Sequence, residues 1–228
     1  MKSIPISKFA DLGFCELKIV YHFLEERKPA FHPCVFAGGR QHSVSAGEDV
    51  LKPRVAVSLE ELLEAVRDWG SVVEFPSESV RVEFMSHGFL FCGRLDKLVK
   101  EGRKAIVIDE KFTSSGGSTL FREKHFIQLN AYCNGLLNGR TIVSGVELGE
   151  RVFAGLQLEG RLVERDIESR VLLCEPRSIG FDEARLHGLL ERFAEIMRGG
   201  LDGRELACGE PGRCAACEYR LGCAHRAF

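Results

Sequence analysis

Two carboxylates and a lysine, carried on neighbouring strand-like runs, offer the clearest chemistry in this chain. Asp109-Glu110-Lys111 closes the run Ala105–Phe112, and Gly93-Arg94-Leu95-Asp96 lies within the run before it. On a strand, residues i and i+2 project from one face. Asp109 and Lys111 therefore share a side, Glu110 points away, and Asp96 approaches from the adjoining strand of a hairpin. Carboxylates held side by side repel unless a hard divalent cation lies between them. A lysine beside that cation can position a water or stabilise charge on a phosphate oxygen. A D-x-K alone equally describes a solvated pair on a sheet edge, so the company it keeps must decide.

That company is ordered. His42 ends Gly39-Arg40-Gln41-His42, ahead of Asp96 and the D-x-K. Gln128-Leu129-Asn130-Ala131-Tyr132 follows, with Gln128 and Tyr132 four apart on one helix face. A second constellation closes the chain: Cys214-Ala215-Ala216-Cys217, then Cys223 after five intervening residues. A C-x-x-C turn lets two thiolates grip one metal or an iron–sulfur cluster. Three thiolates need a fourth partner, and Cys15 and Cys208 are the candidates. Four cysteines around zinc are the chemical alternative. Cys34, Cys92, Cys133 and Cys174 read as small apolar residues.

The elements that must position these groups can be read from periodicity. Residues 7–27 have helical spacing through Phe9, Leu12, Leu17, Val20, Tyr21 and Leu24. Pro29, Pro33, Gly38, Gly39 and Pro53 punctuate an irregular stretch over residues 29–57. Ser58, with Glu61 three residues on, predicts a capped helix through Trp69. Val80, Val82 and Phe84 alternate with Arg81 and Glu83, His87-Gly88 turns, and Phe89–Val99 predicts a second strand. After the turn at Glu101-Gly102, Ala105–Phe112 forms a third, completing an antiparallel meander. Ile106 and Ile108 face one side of it and Val107 the other. A Ser/Gly-rich loop spans Thr113–Thr119, and residues 121–138 return to helical spacing. Val152–Cys174 predicts two more strands, Asp182–Arg198 a helix, and the last 30 residues a weakly periodic, cysteine-rich tail.

Composition narrows the class. The chain has 228 residues, 45% apolar and 28% charged, as in ordinary globular proteins. That length buries a core without covalent staples, so nine cysteines are not there to rescue a mini-protein. Residues 1–30 lack a secretory apolar segment, because Lys8, Asp11, Glu16 and Lys18 interrupt them. Phe126–Gly139 is too short and too polar to span a bilayer. A cytoplasmic protein with no membrane partner is expected, where clustered cysteines more often bind metal than form disulfides. A net charge of −2 excludes a generally basic coat but not a local groove. Residues 94–124 hold eight Lys/Arg against five acids, and backbone phosphates need such an excess. Arg94, Lys97, Arg122 and Lys124 are the expected DNA contacts. Phe31, Phe36 and Phe121 are candidates to stack on bases.

The ordered set His42, Asp96, Asp109-Glu110-Lys111 and Gln128-x-x-x-Tyr132 resembles the RecB-like branch of the PD-(D/E)XK nuclease superfamily. The stretch Phe9–Lys18 with Cys15, followed late by Cys214, Cys217 and Cys223, resembles the iron–sulfur members of that branch. These include the CRISPR-associated protein four family, AddB-type nuclease domains, and the Dna-two and exonuclease-five enzymes. Only the first is usually a lone domain of this length. One departure stands out: Glu16-Leu17 follows Cys15 where the family often has Pro-Arg.

The resemblance implies a mixed α/β (α+β) restriction-endonuclease-like core, a central mixed sheet flanked by helices. Residues 1–228 would form a single domain, with 1–30 and 200–228 joined at the cluster. His42, Asp96, Asp109 and the backbone carbonyl of Glu110 would hold Mg²⁺ or Mn²⁺. Lys111 would be the catalytic lysine, and Gln128 and Tyr132 would shape the site and contact DNA. Cys15, Cys214, Cys217 and Cys223 would hold a 4Fe-4S cluster, with Cys208 the rival fourth ligand. A link from Cys15 to Cys214–Cys223 closes a loop of roughly 200 residues and removes several kcal/mol of unfolded-chain entropy. The implied activity is exonuclease, with endonuclease activity beside it, on single-stranded DNA or an overhang. The implied setting is CRISPR spacer-precursor processing alongside the spacer-integration proteins. A DNA-repair nuclease, a non-catalytic DNA-binding assembly subunit and a zinc-stapled module stand as alternatives, and a homo-oligomer is left open.

Overall fold

The computed structural model describes residues 2–30, 54–55, 60–61, 63–64, 68, 72–75, 79–114, 119–148 and 152–227. His42, Cys34, Phe31, Phe36 and most of the helix expected from Ser58 lie outside them. Two sheets and one long helix dominate. The first sheet has the order β1-β5-β4-β8-β9, built from Ser3–Pro5, Phe89–Arg94, Val80–Ser86, Arg140–Val143 and Val146–Leu148. The second has the order β11-β10-β7-β6-β3-β2, from Arg177–Gly180, Gln157–Asp166, Lys104–Thr113, Lys97–Glu101, Val72–Phe75 and Arg54–Val55. Both are mixed: β1 runs parallel to β5, and β10 runs parallel to β7 over ten residue pairs.

The expected meander forms, but across two sheets. Phe89–Val99 is not one strand: it ends at Arg94 in the first sheet and resumes at Lys97 in the second. Leu95 and Asp96 make the crossing. Leu95 is fully buried, and its N–H donates to the carbonyl of Val80 (2.9 Å). The local composition favours a continuous strand throughout, so only packing decides the break.

The alternation read on β7 holds. Val107 belongs to the main core, whereas Ile106 and Ile108 join Val99 and Val163 in a small cluster on the opposite face. The main face is covered by α3, Arg122–Asn138, which packs against β4, β7, β8 and β10. Gly135 makes the approach to β4 feasible, since a Cβ there would sit 2.7 Å from the Cβ of Val82.

The N-terminal helix expected over residues 7–27 is instead broken. An α-helical turn α1 at Ile6–Phe9, a 3-10 turn at Ala10–Gly13, a second α-helical turn α2 at Leu17–Ile19 and a π turn at Val20–Leu24 follow one another. Gly13 lies against the first turn of α3, where a Cβ would meet the backbone of Glu123 at 2.7 Å. Arg213 from the tail donates to the carbonyls freed at this break, those of Gly13 (3.3 Å) and Phe14 (3.1 Å). The break sets Cys15 at a bend rather than mid-helix.

Residues 152–174 contain the single strand β10, not two. The hairpin β8–β9 turns at Ser144-Gly145, both with positive φ (50° and 85°). α4, Glu183–Arg198, begins on Asp182, whose side chain accepts the Arg185 N–H (2.9 Å). The tail holds two short helices, α5 at Gly203–Leu206 and α6 at Pro211–Ala216. Among the described residues no helix is long and apolar enough to cross a membrane.

Candidate active site

The β6–β7 register puts Lys97 opposite Ile108. Continued by one residue, it places Asp96 opposite Asp109, where like charges destabilise a strand pair. The Glu110 N–H donates to Asp96 Oδ2 (2.9 Å) and fixes that carboxylate at the sheet crossing. Burial first, and then the charge of Asp109, pushes the Asp96 carboxyl up to about 7. Asp109 is buried. Its Oδ1 accepts from Lys111 Nζ (2.7 Å) and Gln128 Nε2 (3.0 Å). Its Oδ2 is buried with no hydrogen-bond partner among the described residues. Burial pulls the Lys111 ammonium down, but Asp109 and Asp96 outweigh it and hold the group above its ordinary value. It stays charged at neutral pH.

These residues fit a hard divalent cation. Two close carboxylates, one unsatisfied buried oxygen and a half-protonated partner are what a positive ion at that point would resolve. Asp96, Asp109, Lys111 and Gln128 are brought together; Tyr132 adjoins them, with Gln128 Nε2 donating to its Oη at 3.4 Å. Burial, then Asp109 and Asp96, push the Tyr132 phenol up, so it remains a neutral hydrogen-bonding group. The Glu110 side chain points to the other face as expected, toward Arg165 (3.2 Å) and Lys97 (3.6 Å).

That last contact corrects one expectation. Lys97 is buried against Glu110 rather than set on a phosphate-binding face. Lys124 likewise turns inward, 2.6 Å from Asp11. Arg94 and Arg122 are exposed. A charge count along the sequence cannot see which cations have acids waiting inside. Phe121 stacks on Phe14, with centroids 5.1 Å apart, rather than standing free.

His125 was not singled out by sequence. It lies on α3 three residues before Gln128, is buried, has no partner for Nδ1 among the described residues, and is pushed down to about 4 by burial. The helical spacing from Gln128 was the available signal.

Gly93 explains itself through Tyr132. A Cβ on Gly93 would lie 2.6 Å from Tyr132 Cε1 and 3.2 Å from Ile6 Cβ. Gly93→Ala is expected to destabilise the fold by about 1–3 kcal/mol through overpacking and to displace Tyr132. A melting curve indistinguishable from wild type would contradict this contact.

The carboxylate pair also gives a pH signature. Asp96 titrates higher folded (about 7) than its ordinary 3.8. The folded state therefore binds more protons across this window, and stability falls as pH rises through it. His125, held near 4 against an ordinary 6.5, acts in the opposite sense over an overlapping range. The informative quantity is therefore a difference. In chelator, Asp96→Asn is expected to gain stability relative to wild type between pH 4 and 7, and Mn²⁺ to abolish that gain. Parallel urea-midpoint curves would reject the electrostatic account.

The cysteines meet elsewhere. Cys15, Cys208, Cys214, Cys217 and Cys223 line one pocket between the N-terminal bend and the tail, with Lys18, Arg213, Arg220 and Arg226 around them. All five are free thiols. All five sulfurs receive donors: Cys214 from the Ala227 N–H, Cys217 from the Tyr219 N–H and Cys223 from Tyr21 Oη, each at 3.4 Å, with backbone N–H groups also reaching Cys15 and Cys208. Burial pushes the thiols of Cys15, Cys208, Cys214 and Cys217 up, so they are protonated without a metal.

A single tetrahedral zinc needs sulfurs about 3.8 Å apart. Cys208 and Cys214 approach that separation at 3.9 Å, but no three sulfurs lie mutually within 4.8 Å among the described residues. The set therefore does not match a preformed zinc site. Of the remaining cysteines, Cys133 is buried as expected. Cys92 and Cys174 are only partly so, with Cys174 Sγ donating to Glu164 (3.4 Å).

One compact three-donor set lies on the surface, at the opposite end of β5 from Asp96. His87, His187 and Glu191 are exposed, with their ligand atoms within 4.8 Å of one another.

Comparisons with known proteins concern the fold and the family. The solved structure of SSO0001 aligns over 100% of this chain and 89% of its own, at 16% identity and a TM-score of 0.55. That likeness concerns the fold. A protein from Eubacterium rectale described as a candidate exonuclease aligns over 86% of this chain and 79% of its own, at 11% identity and a TM-score of 0.47. No curated protein sequence matches. The model of the PD-(D/E)XK nuclease superfamily matches residues 23–224, nearly the whole chain, and this chain belongs to that superfamily.

Proposed function

We propose that the chain is a divalent-metal-dependent DNA nuclease that hydrolyses phosphodiester bonds in single strands or overhangs. The observation that carries this is the Asp96–Asp109 pair, half-buried and buried respectively, with Asp109 Oδ2 unsatisfied and Lys111 bonded to the same carboxylate. Asp96, Asp109 and the Glu110 backbone carbonyl would hold Mg²⁺ or Mn²⁺, with His42, outside the described residues, as a further ligand. The cation would supply Lewis acidity toward a phosphoryl oxygen and water. Lys111, kept charged by its carboxylate neighbours, places a proton donor where negative charge develops on the phosphate. Gln128 holds Asp109 Oδ1 in place, and the neutral Tyr132 closes the site beside it.

Residues 1–30 and 200–228 would form the cluster-binding part of a single RecB-like domain. Cys15, Cys214, Cys217 and Cys223 would hold a 4Fe-4S cluster, with Cys208 adjacent. A place in CRISPR spacer-precursor processing would rest on the resemblance in cysteine order, one before the acidic motifs and three after.

Anaerobic purification with iron and zinc analysis, followed by cleavage of end-labelled single-stranded DNA with Mn²⁺, Mg²⁺ or chelator, tests the reading. Expected are a brown protein with about four iron atoms and cleavage only with a divalent ion. DNA binding without metal-dependent cleavage would instead assign a non-catalytic assembly subunit. A colourless protein holding zinc would remove the cluster.

A further inference from the structure

The first sheet carries a notch beside the acidic site. β1 ends at Pro5, paired with Cys92, while β5 continues through Gly93 and Arg94. Beyond the last β1 pair opens a cavity of about 380 Å³ lined by Pro5, Ser7, Gly93, Tyr132, Arg81 and Arg94, among others. Its size is in the range that takes one small organic ligand. That is room for a nucleotide but not for a duplex.

Two features mark the notch as built for an anion. Arg81 and Arg94 stand directly opposite each other in the β4–β5 ladder, both exposed. Like charges so placed destabilise the pair they belong to. Arg81 has Glu83 at 2.6 Å, but no described residue pairs with Arg94. The strand therefore carries an uncompensated positive charge where a neutral pair would be more stable. The notch also shares a wall with the site. Tyr132 lines it, accepts from Gln128 (3.4 Å), and Gln128 in turn donates to Asp109 (3.0 Å). Arg94 precedes Asp96 by two residues, so their Cα atoms lie within about 7 Å. A strand whose scissile phosphate sits at Asp96 and Asp109 would have a neighbouring phosphate within reach of these guanidiniums, whose forks match phosphate oxygens bidentately.

We propose that Arg81 and Arg94 form a clamp for the backbone phosphate next to the scissile bond, and that a single nucleic-acid strand passes through this notch. The inference rests on the nuclease reading above and names its substrate subsite. Phosphate chemistry has a second source, a free mononucleotide product, and the test separates the two.

Binding of a fluorescein-labelled single-stranded DNA is followed by anisotropy between 50 and 300 mM NaCl, in the cleavage-disabled Asp109→Asn protein. Adding Arg81→Gln and Arg94→Gln is expected to weaken binding tenfold or more. It should also lower the salt slope by about 0.7, the value for one single-strand phosphate. A charge-matched Arg198→Gln/Arg204→Gln pair at the exposed end of α4 and in α5 should change neither by a comparable amount. The melting temperature of the Arg94→Gln single variant should stay level or rise, because the like-charge pair is gone while Arg81 keeps Glu83; a fall there with lost binding would mean misfolding and overturn the clamp. Strand affinity equal to the charge-matched control would overturn it as well. So would displacement of labelled dTMP, but not of the strand, by the same substitutions. If unaltered protein cleaves while the clamp variants bind normally, only the clamp fails. If unaltered protein neither binds nor cleaves, the nuclease reading fails first.

Discussion

Asp109→Asn is expected to lower metal-dependent DNA cleavage more than about a thousandfold, equivalent to roughly 4 kcal/mol of transition-state stabilisation. Asp109 Oδ1 accepts from Lys111 (2.7 Å) and Gln128 (3.0 Å), and Oδ2 is the unsatisfied buried oxygen. An amide there removes the charge that would hold a cation. It can also set an N–H against the Lys111 ammonium. Asp109→Asn relieves Asp96 of its like-charged neighbour but gives up the Lys111 ion pair, so the two effects oppose and the metal-free variant should remain folded. Lost activity in a folded protein separates a chemical role from a structural one. Lys111→Ala should likewise abolish cleavage and leave folding intact. Cleavage within tenfold of wild type in either variant, measured with Mn²⁺ on single-stranded DNA, would sink the assignment of this site.

Asp11→Ala should produce the largest loss of stability, about 3–5 kcal/mol, or roughly 10 °C in melting temperature for a chain of this size. Asp11 is buried at the junction of the N-terminal bend, α3 and the tail. Lys124 lies 2.6 Å from it, Lys18 3.0 Å and Lys8 3.9 Å, while Lys18 reaches on to Glu218 at 2.9 Å. Burial pushes the Asp11 carboxyl up, but Lys124 and Lys18 more than offset it and hold it below its ordinary 3.8. The stabilisation is therefore present above that value and fades as pH falls through and below it, so the gap between wild type and variant should narrow in acid. Removing Asp11 leaves the buried Lys18 with Glu218 alone. Glu218 lies between Cys217 and Tyr219, so the variant should also release the tail and expose the cysteine pocket to thiol reagents. A loss under 1 kcal/mol by urea unfolding would show that the lysines find water instead.

Much of the candidate site was legible because its parts follow short-range rules. The i, i+2 rule put Asp109 and Lys111 on one face and Glu110 on the other, and the tight turn at Glu101-Gly102 made Asp96 a neighbour. The i, i+4 rule put Gln128 and Tyr132 on one side of a helix. Other features were not legible. Lys97 and Lys124 looked like phosphate contacts because nothing near them in sequence announces Glu110 or Asp11 as their partners. The helix over residues 7–27 has unbroken apolar spacing, yet it breaks where Gly13 meets α3 and Arg213 takes the freed carbonyls. The β8–β9 hairpin had a turn signal in Ser144-Gly145, but its strands are three and four residues long, below the length at which alternation is distinctive.

The sequence by itself determined which side chains could carry the chemistry, their order along the chain and their face on each element. It did so because side-chain direction along a strand or helix is a local geometric property. The tertiary structure decided what local geometry cannot. It cut Phe89–Val99 in two so that Asp96 meets Asp109 at the crossing between sheets. It required Gly93 so that Tyr132 could pack over it. It drew five cysteines from the two ends of the chain to one pocket, and it sorted the cations into those sealed by buried acids and those, such as Arg94, left exposed. Each of these depends on contacts between segments far apart in sequence, and burial and charge pairing are set only there.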